Sequence, residues 1–223
     1  MRRNCLFVKK CLLKDSLTYN GEILMTYTIE YPEFRSFMNR ICLKRVNEYY
    51  KDRALKFKKH CESELYPMAI QQYKEDLKNN FPIRVFDAVM KYEVTYLRAC
   101  IISLYFDRYE FTGGAHGNTL RDSQTWNIKT CECIMLFQLV TCLPNSKSYL
   151  MKEFAAQIEK EPEIYFEEAK QLISETFQEN SFYCVPEGIV IYYQQYDIAP
   201  YSSGIREFLL PYQDCVLNPI KLC

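Results

Sequence analysis

The chain has 223 residues, 48% of them hydrophobic and 25% charged, enough for one sizeable core or two small modules sharing a sheet. Its 28 basic and 28 acidic residues cancel to a formal net charge of zero, which argues against a nucleic-acid binder. No apolar run approaches a membrane-spanning helix, so no membrane insertion is expected.

Two strands are predicted first, over 5–13 and 22–31, flanking a polar turn that holds Asn20-Gly21. Pro32 is expected to end the second strand. Phe34, Met38, Ile41, Cys42, Val46, Tyr49 and Phe57 then recur at spacings of three and four, which predicts one long helix. Basic residues over 51–59 interleave with Asp52 and aromatics and read as the solvated face of that helix. Pro67 should kink or divide it, with a second piece continuing to about Asn79.

From Pro82 the apolar period changes to two, and strands are predicted over 86–96 and 100–106, with a turn near 97–99. A glycine-rich loop at 111–118 should join the latter strand to another over 119–128. Leu150, Phe154 and Ile158 mark a helix broken by Pro162; Phe166, Ala169, Ile173 and Phe177 mark the next. Strands over 181–185 and 188–194 surround the turn Pro186-Glu187-Gly188, and a loop at 196–204 leads to a last strand over 205–211. The tail after Tyr212 carries no clear signal. Helices and strands come in separate runs. The expectation is an α+β fold: a mainly antiparallel sheet with helices packed on one face, and two modules, 1–98 and 99–223, in one compact body.

Eleven cysteines is a high and odd number. The basic start Met1-Arg2-Arg3 is not followed by an apolar run of signal-peptide length, which points to the cytoplasm and a reducing compartment. All eleven are therefore expected to act as small apolar fillers. Cys131-Glu132-Cys133 and His60-Cys61 match no paired zinc-ligand spacing, so neither a metal nor a cofactor is expected.

The most pointed segment is Phe111-Thr112-Gly113-Gly114-Ala115-His116-Gly117-Asn118, with three of the six glycines and one of the two histidines. Glycine marks positive φ or close approach of another surface. As a phosphate cradle the loop fails, because strand-like sequence follows it and it holds no lysine. His116 is a candidate general base, with Glu110, Asp122 or Asp197 to orient it, and that defines an alternative reading as a hydrolase of a glycan or peptide. Phe111, Thr112, Gly113, Gly114, His116 and Asn118, with Tyr196, Pro200, Tyr201, Ser202 and Gly204, have the composition of adaptable recognition surfaces. Composition alone leaves recognition and well-made turns evenly balanced.

The first of these loops, together with Gln195-Tyr196-Asp197-Ile198-Ala199-Pro200-Tyr201-Ser202-Ser203-Gly204-Ile205-Arg206-Glu207-Phe208, resembles the C-terminal domain of the anti-sigma factor RsiV. A similar domain precedes the catalytic domain of the peptidoglycan deacetylase PdaC. Tyr31-Pro32 through Asn39 and the strand at 86–96 resemble the small domain that usually comes before it. The resemblance implies an extracytoplasmic, non-catalytic sensor that binds C-type lysozyme, another cell-wall enzyme or a cell-wall saccharide. It does not carry over signalling or deacetylation, since neither the sigma-binding segment nor the metal-binding deacetylase residues match anything here.

Overall fold

A computed structural model describes residues 6–143 and 145–223. Cys5, the first residue of the predicted opening strand, lies outside them. Among the described residues the chain is α+β, with two sheets. One has the order β1-β2-β3-β4-β5-β6 and the other β7-β8-β9. Their strands are β1 Phe7–Tyr19, β2 Glu22–Arg35, β3 Phe86–Arg98, β4 Ile101–Phe111, β5 Asn118–Asn127, β6 Glu132–Cys133, β7 Phe182–Val185, β8 Gly188–Tyr193 and β9 Arg206–Pro211. The helices are α1 Arg40–His60, α2 Tyr66–Asn79, α3 Leu136–Leu139, α4 Ser146–Ile158 and α5 Ala169–Glu175. Two compact units result, one of residues 1–92 and 106–120, the other of 93–105 and 121–223.

In the first unit Asn20 and Gly21 both take positive φ, 52° and 86°, the geometry a two-residue hairpin turn needs to match strand twist. Tyr19 then faces Glu22, and the antiparallel ladder runs to Phe7 opposite Arg35. The second strand does not stop at Pro32. β2 pairs with β3, in parallel, only over Met25–Ile29 opposite Phe86–Met90, so Pro32 sits where the ladder to β3 has already ended. Phe34 consequently belongs to the strand, not to the helix. The Asn47 amide of α1 replaces a ladder partner there: its Oδ1 accepts from the Phe34 N–H (2.7 Å) and its Nδ2 donates to the Phe34 carbonyl (2.9 Å).

α1 buries Cys42, Leu43, Val46, Tyr50, Ala54 and Phe57, a stripe of i, i+3, i+4 and i+7 positions. Ile41, which the periodicity placed on this stripe, is exposed. Pro67 is accommodated by a π-helical turn at Cys61–Leu65, which lets the chain re-enter an α-helix with proline in its first turn. Asn80, at φ 55°, closes α2.

The second unit centres on β8, buried along its whole length, so its residues pack on both faces. On one face Phe154 of α4 stacks on Phe208 of β9 with ring centroids 4.6 Å apart, and Tyr193 meets both edge-on. On the other face Tyr183, Val190 and Tyr192 form a cluster with Tyr105, Val185 and Ile205 packed against it.

The filler reading of the cysteines fails here. Cys100 is bonded to Cys223 and Cys142 to Cys215, and Cys42 and Cys131 are also disulfide-bonded. Cys61 and Cys184 do act as buried free thiols, and burial pushes each up to about 12. The tail that carried no signal is thus anchored. Beyond the two bridges, Val216 pairs with Val140 and the Leu217 N–H donates to the Leu139 carbonyl at 2.7 Å.

Candidate functional site

The glycine loop connects β4 to β5, as its flanking periods predict, and belongs to the first unit. Gly113 has φ 81°, a left-handed conformation that a side chain strains. Its carbonyl accepts from Arg84 Nη1 at 3.0 Å. Arg84 is held in turn by Asp76, its Nη2 lying 2.6 Å from Asp76 Oδ1. Asp76 is fully buried on α2 and also accepts from Gln72 Nε2 at 2.8 Å. A buried carboxylate, an arginine and a glycine carbonyl therefore clamp the loop to the helix.

Gly117 is needed for a different reason: a Cβ there would fall inside the Tyr109 ring. Gly114 is open, with nothing closer to its would-be Cβ than the His116 carbonyl at 3.8 Å. Thr112, Gly114, His116 and Asn118 are exposed and Phe111 is half-buried. His116 Nδ1 lies 3.1 Å from the Gly117 carbonyl, a contact within the turn. Glu110, offered by the sequence as its orienting carboxylate, instead lies 3.3 Å from Nε2 of the other histidine, His60.

The Asp76–Arg84 clamp is expected to lose its contribution to stability in acid. The hydrogen bond from Arg84 holds the Asp76 carboxyl below the usual carboxylate range. A carboxyl lowered by folding contributes stability that is full above its unfolded value, near 4, and is lost as pH falls through the lower folded value. Urea midpoints measured from about pH 5 to pH 2 should fall less steeply for Asp76→Asn than for the parent protein. Parallel curves would show that the clamp contributes nothing.

The second loop lies in the second unit, so no single unit contains both. It is tightly tied. The Ile198 carbonyl accepts from the Phe166 N–H (3.1 Å), and Ser203 Oγ donates to the Ile164 carbonyl (2.8 Å). The Gln194 N–H donates to Asp197 Oδ2 (2.8 Å), and Arg206 Nη1 to the Ser203 carbonyl (3.1 Å). Burial raises the Asp197 carboxyl, with the Gln194 N–H opposing that shift. Ile198 and Ala199 are buried anchors. Tyr196 takes φ 68°, is 53% exposed, and lies against Tyr201 with ring centroids 5.9 Å apart. Ser202 is exposed, Pro200 is half-buried in an extended conformation, and Gly204, at φ 65°, terminates the Tyr201–Ser203 turn.

In the same unit, Glu207 of the second motif joins residues that no motif singled out in a dense polar network. The Arg121 guanidinium lies 3.8 Å from the Tyr105 ring centroid and pairs with Glu207. Glu207 accepts from the Tyr183 hydroxyl at 2.9 Å. Gln194 brackets Arg121, accepting its N–H (2.9 Å) and donating to its carbonyl (2.6 Å). Burial raises the Tyr183 phenol, with the Glu207 charge adding to the shift, so the hydroxyl stays protonated as the donor. One clue to the other missed network was legible: Asp76 falls on the buried stripe of Ala69 and Tyr73, and a carboxylate there demands a cation.

Among the described residues, no group of three or more His, Cys, Asp or Glu is placed to hold a metal ion, and no helix is long and apolar enough to cross a membrane. The family model described as Deacetylase PdaC matches residues 19–119, and that of a protein of unknown function, DUF3298, matches residues 138–213. No curated protein matches the chain. A solved DUF3298 family member from Bacteroides fragilis superposes with a TM-score of 0.72 at 21% identity, covering 97% of this chain and 96% of that one. A DUF3298 family protein from Pseudomonas aeruginosa gives 0.61 at 18% identity, covering 94% and 92%. At these identities the likeness is one of fold.

Proposed function

We propose that this chain, a PdaC-type module followed by a DUF3298-type module, is a non-catalytic recognition module for a protein ligand. The observation that supports this reading most is the 196–204 loop, which holds the exposed Tyr196 against the half-buried Tyr201 on a backbone tied at Gln194, Ile198, Ser203 and Gly204. A rigid aromatic loses little entropy on binding, and tyrosine is enriched among the residues that dominate interface energies. The clamped 111–118 loop of the first unit offers a second preorganised polar surface at Thr112, His116 and Asn118. Of the three carboxylates the hydrolase alternative offered to His116, Glu110 lies against His60 instead.

C-type lysozyme, the ligand implied by the resemblance, is the first to test, by calorimetric titration at physiological salt. Saturable binding that Tyr196→Ala weakens by about tenfold or more supports the reading. Saturable binding untouched by Tyr196→Ala and by His116→Ala removes the loops from it. No binding to lysozyme, with binding of a cell-wall saccharide instead, moves the ligand out of the protein class.

A further inference from the structure

A cavity of about 510 Å³ lies in the first unit, between α1 and β4, on residues that the recognition reading does not use. Arg53, Lys56, Phe57 and His60 line it from α1 at i, i+3, i+4 and i+7, one face of the helix. Arg108 and Glu110 line it from β4 at i and i+2, one face of the strand. Phe57 and Met90, 4% and 1% exposed, form an apolar floor. The lining carries three permanent cations against one carboxylate. The basic run over 51–59, which reads in sequence as a solvated face, therefore turns two of its members into a cavity.

Arg53 is also positioned. The Arg53 guanidinium lies 5.3 Å from the Phe106 ring centroid and 5.7 Å from that of Tyr49, whose hydroxyl accepts from Arg53 Nη1 at 3.2 Å. His60 stacks on Phe57, its Nδ1 3.1 Å from Glu64 and its Nε2 3.3 Å from Glu110. This draws the cavity's carboxylate toward the histidine end. A guanidinium fixed by stacking presents its donor fork to an oxyanion with little further entropy loss. The volume is within the range of small-molecule sites.

We infer that this cavity binds a small multivalent oxyanion, a polycarboxylate or a polyphosphate, through Arg53, Lys56 and Arg108. The excess of positive over negative groups favours a ligand with at least two negative charges over a monovalent one. The site is independent of both motif loops, so its test and the lysozyme test fail separately.

The full chain is titrated calorimetrically with citrate and with pyrophosphate, at an ionic strength matched with sodium chloride. Saturable binding of either is expected, and whichever binds assigns the ligand to the carboxylate or the phosphate class. Arg108→Gln should weaken it by about tenfold, and Lys56→Gln, at an exposed position that tolerates change, by several-fold. Glu110→Gln should tighten it, and Lys78→Gln on α2 should leave it unchanged. No saturable heat with either anion overturns the inference. So does an affinity that neither Lys56→Gln nor Arg108→Gln alters.

Discussion

Cys142→Ser should lower the stability of the oxidised protein by about 3–5 kcal/mol, and Cys223→Ser by a similar amount. The bridges close separations of 73 and 123 residues, and in the chain-entropy account long loops gain most from closure. Both bridges end in the C-terminal tail. Its other attachments are the buried Val216, paired with Val140, and hydrogen bonds that include the Thr141 N–H to the Cys215 carbonyl (2.8 Å), Asn127 Nδ2 to the Leu222 carbonyl (2.9 Å), and the Tyr96 hydroxyl to Asn218 Oδ1 (2.9 Å). Each of these hydrogen bonds contributes about 1 kcal/mol net against the chain entropy of ordering the tail, and the covalent ties add the larger share.

Urea denaturation with and without reductant measures this directly. A large drop in midpoint on reduction is the expected result, and an unchanged midpoint would sink it. Disulfides persist in oxidising compartments, so the protein must be kept oxidised for the comparison. Cys61 and Cys184 supply an internal control. Burial holds both thiols protonated, and they should resist alkylation until the protein unfolds.

The loop glycines should separate sharply. Gly117→Ala is expected to cost about 1–3 kcal/mol, because its Cβ must displace the Tyr109 ring. Gly113→Ala should cost about 1–2 kcal/mol through left-handed strain, with Arg84 and Phe86 already 3.4 Å from the added carbon. Gly114→Ala, in open space, should stay within about 0.5 kcal/mol. Denaturation midpoints of the three variants decide it, and equal losses would mean the loop is not built as described. Gly114→Ala is also the probe for function: with stability intact, any loss of ligand affinity reports contact at the loop.

Most of the elements were legible along the chain because their signals are local. Asn20-Gly21 at a two-residue turn, the switch from helical to alternating period near Pro82, and the stripe of Leu150, Phe154 and Ile158 each depend on residues within a turn or two. The errors are equally local in origin. Pro32 reads as a strand terminator until the limited pairing of β2 with β3 is known, and that pairing depends on residues fifty or more positions away. The two loops were located correctly as connections. What holds each one was not visible, since Arg84 reaches Gly113 across 29 residues and Ser203 reaches Ile164 across 39.

The sequence by itself determined the α+β class, the turns and the two loops, because backbone preference and apolar period act between neighbours. Tertiary structure alone decided the disulfide partners, the pairing of Glu110 with His60, and the cavity at Arg53, Lys56 and Arg108. Each of these depends on distances between side chains far apart along the chain. Only the packing of one element's buried face on another sets such distances.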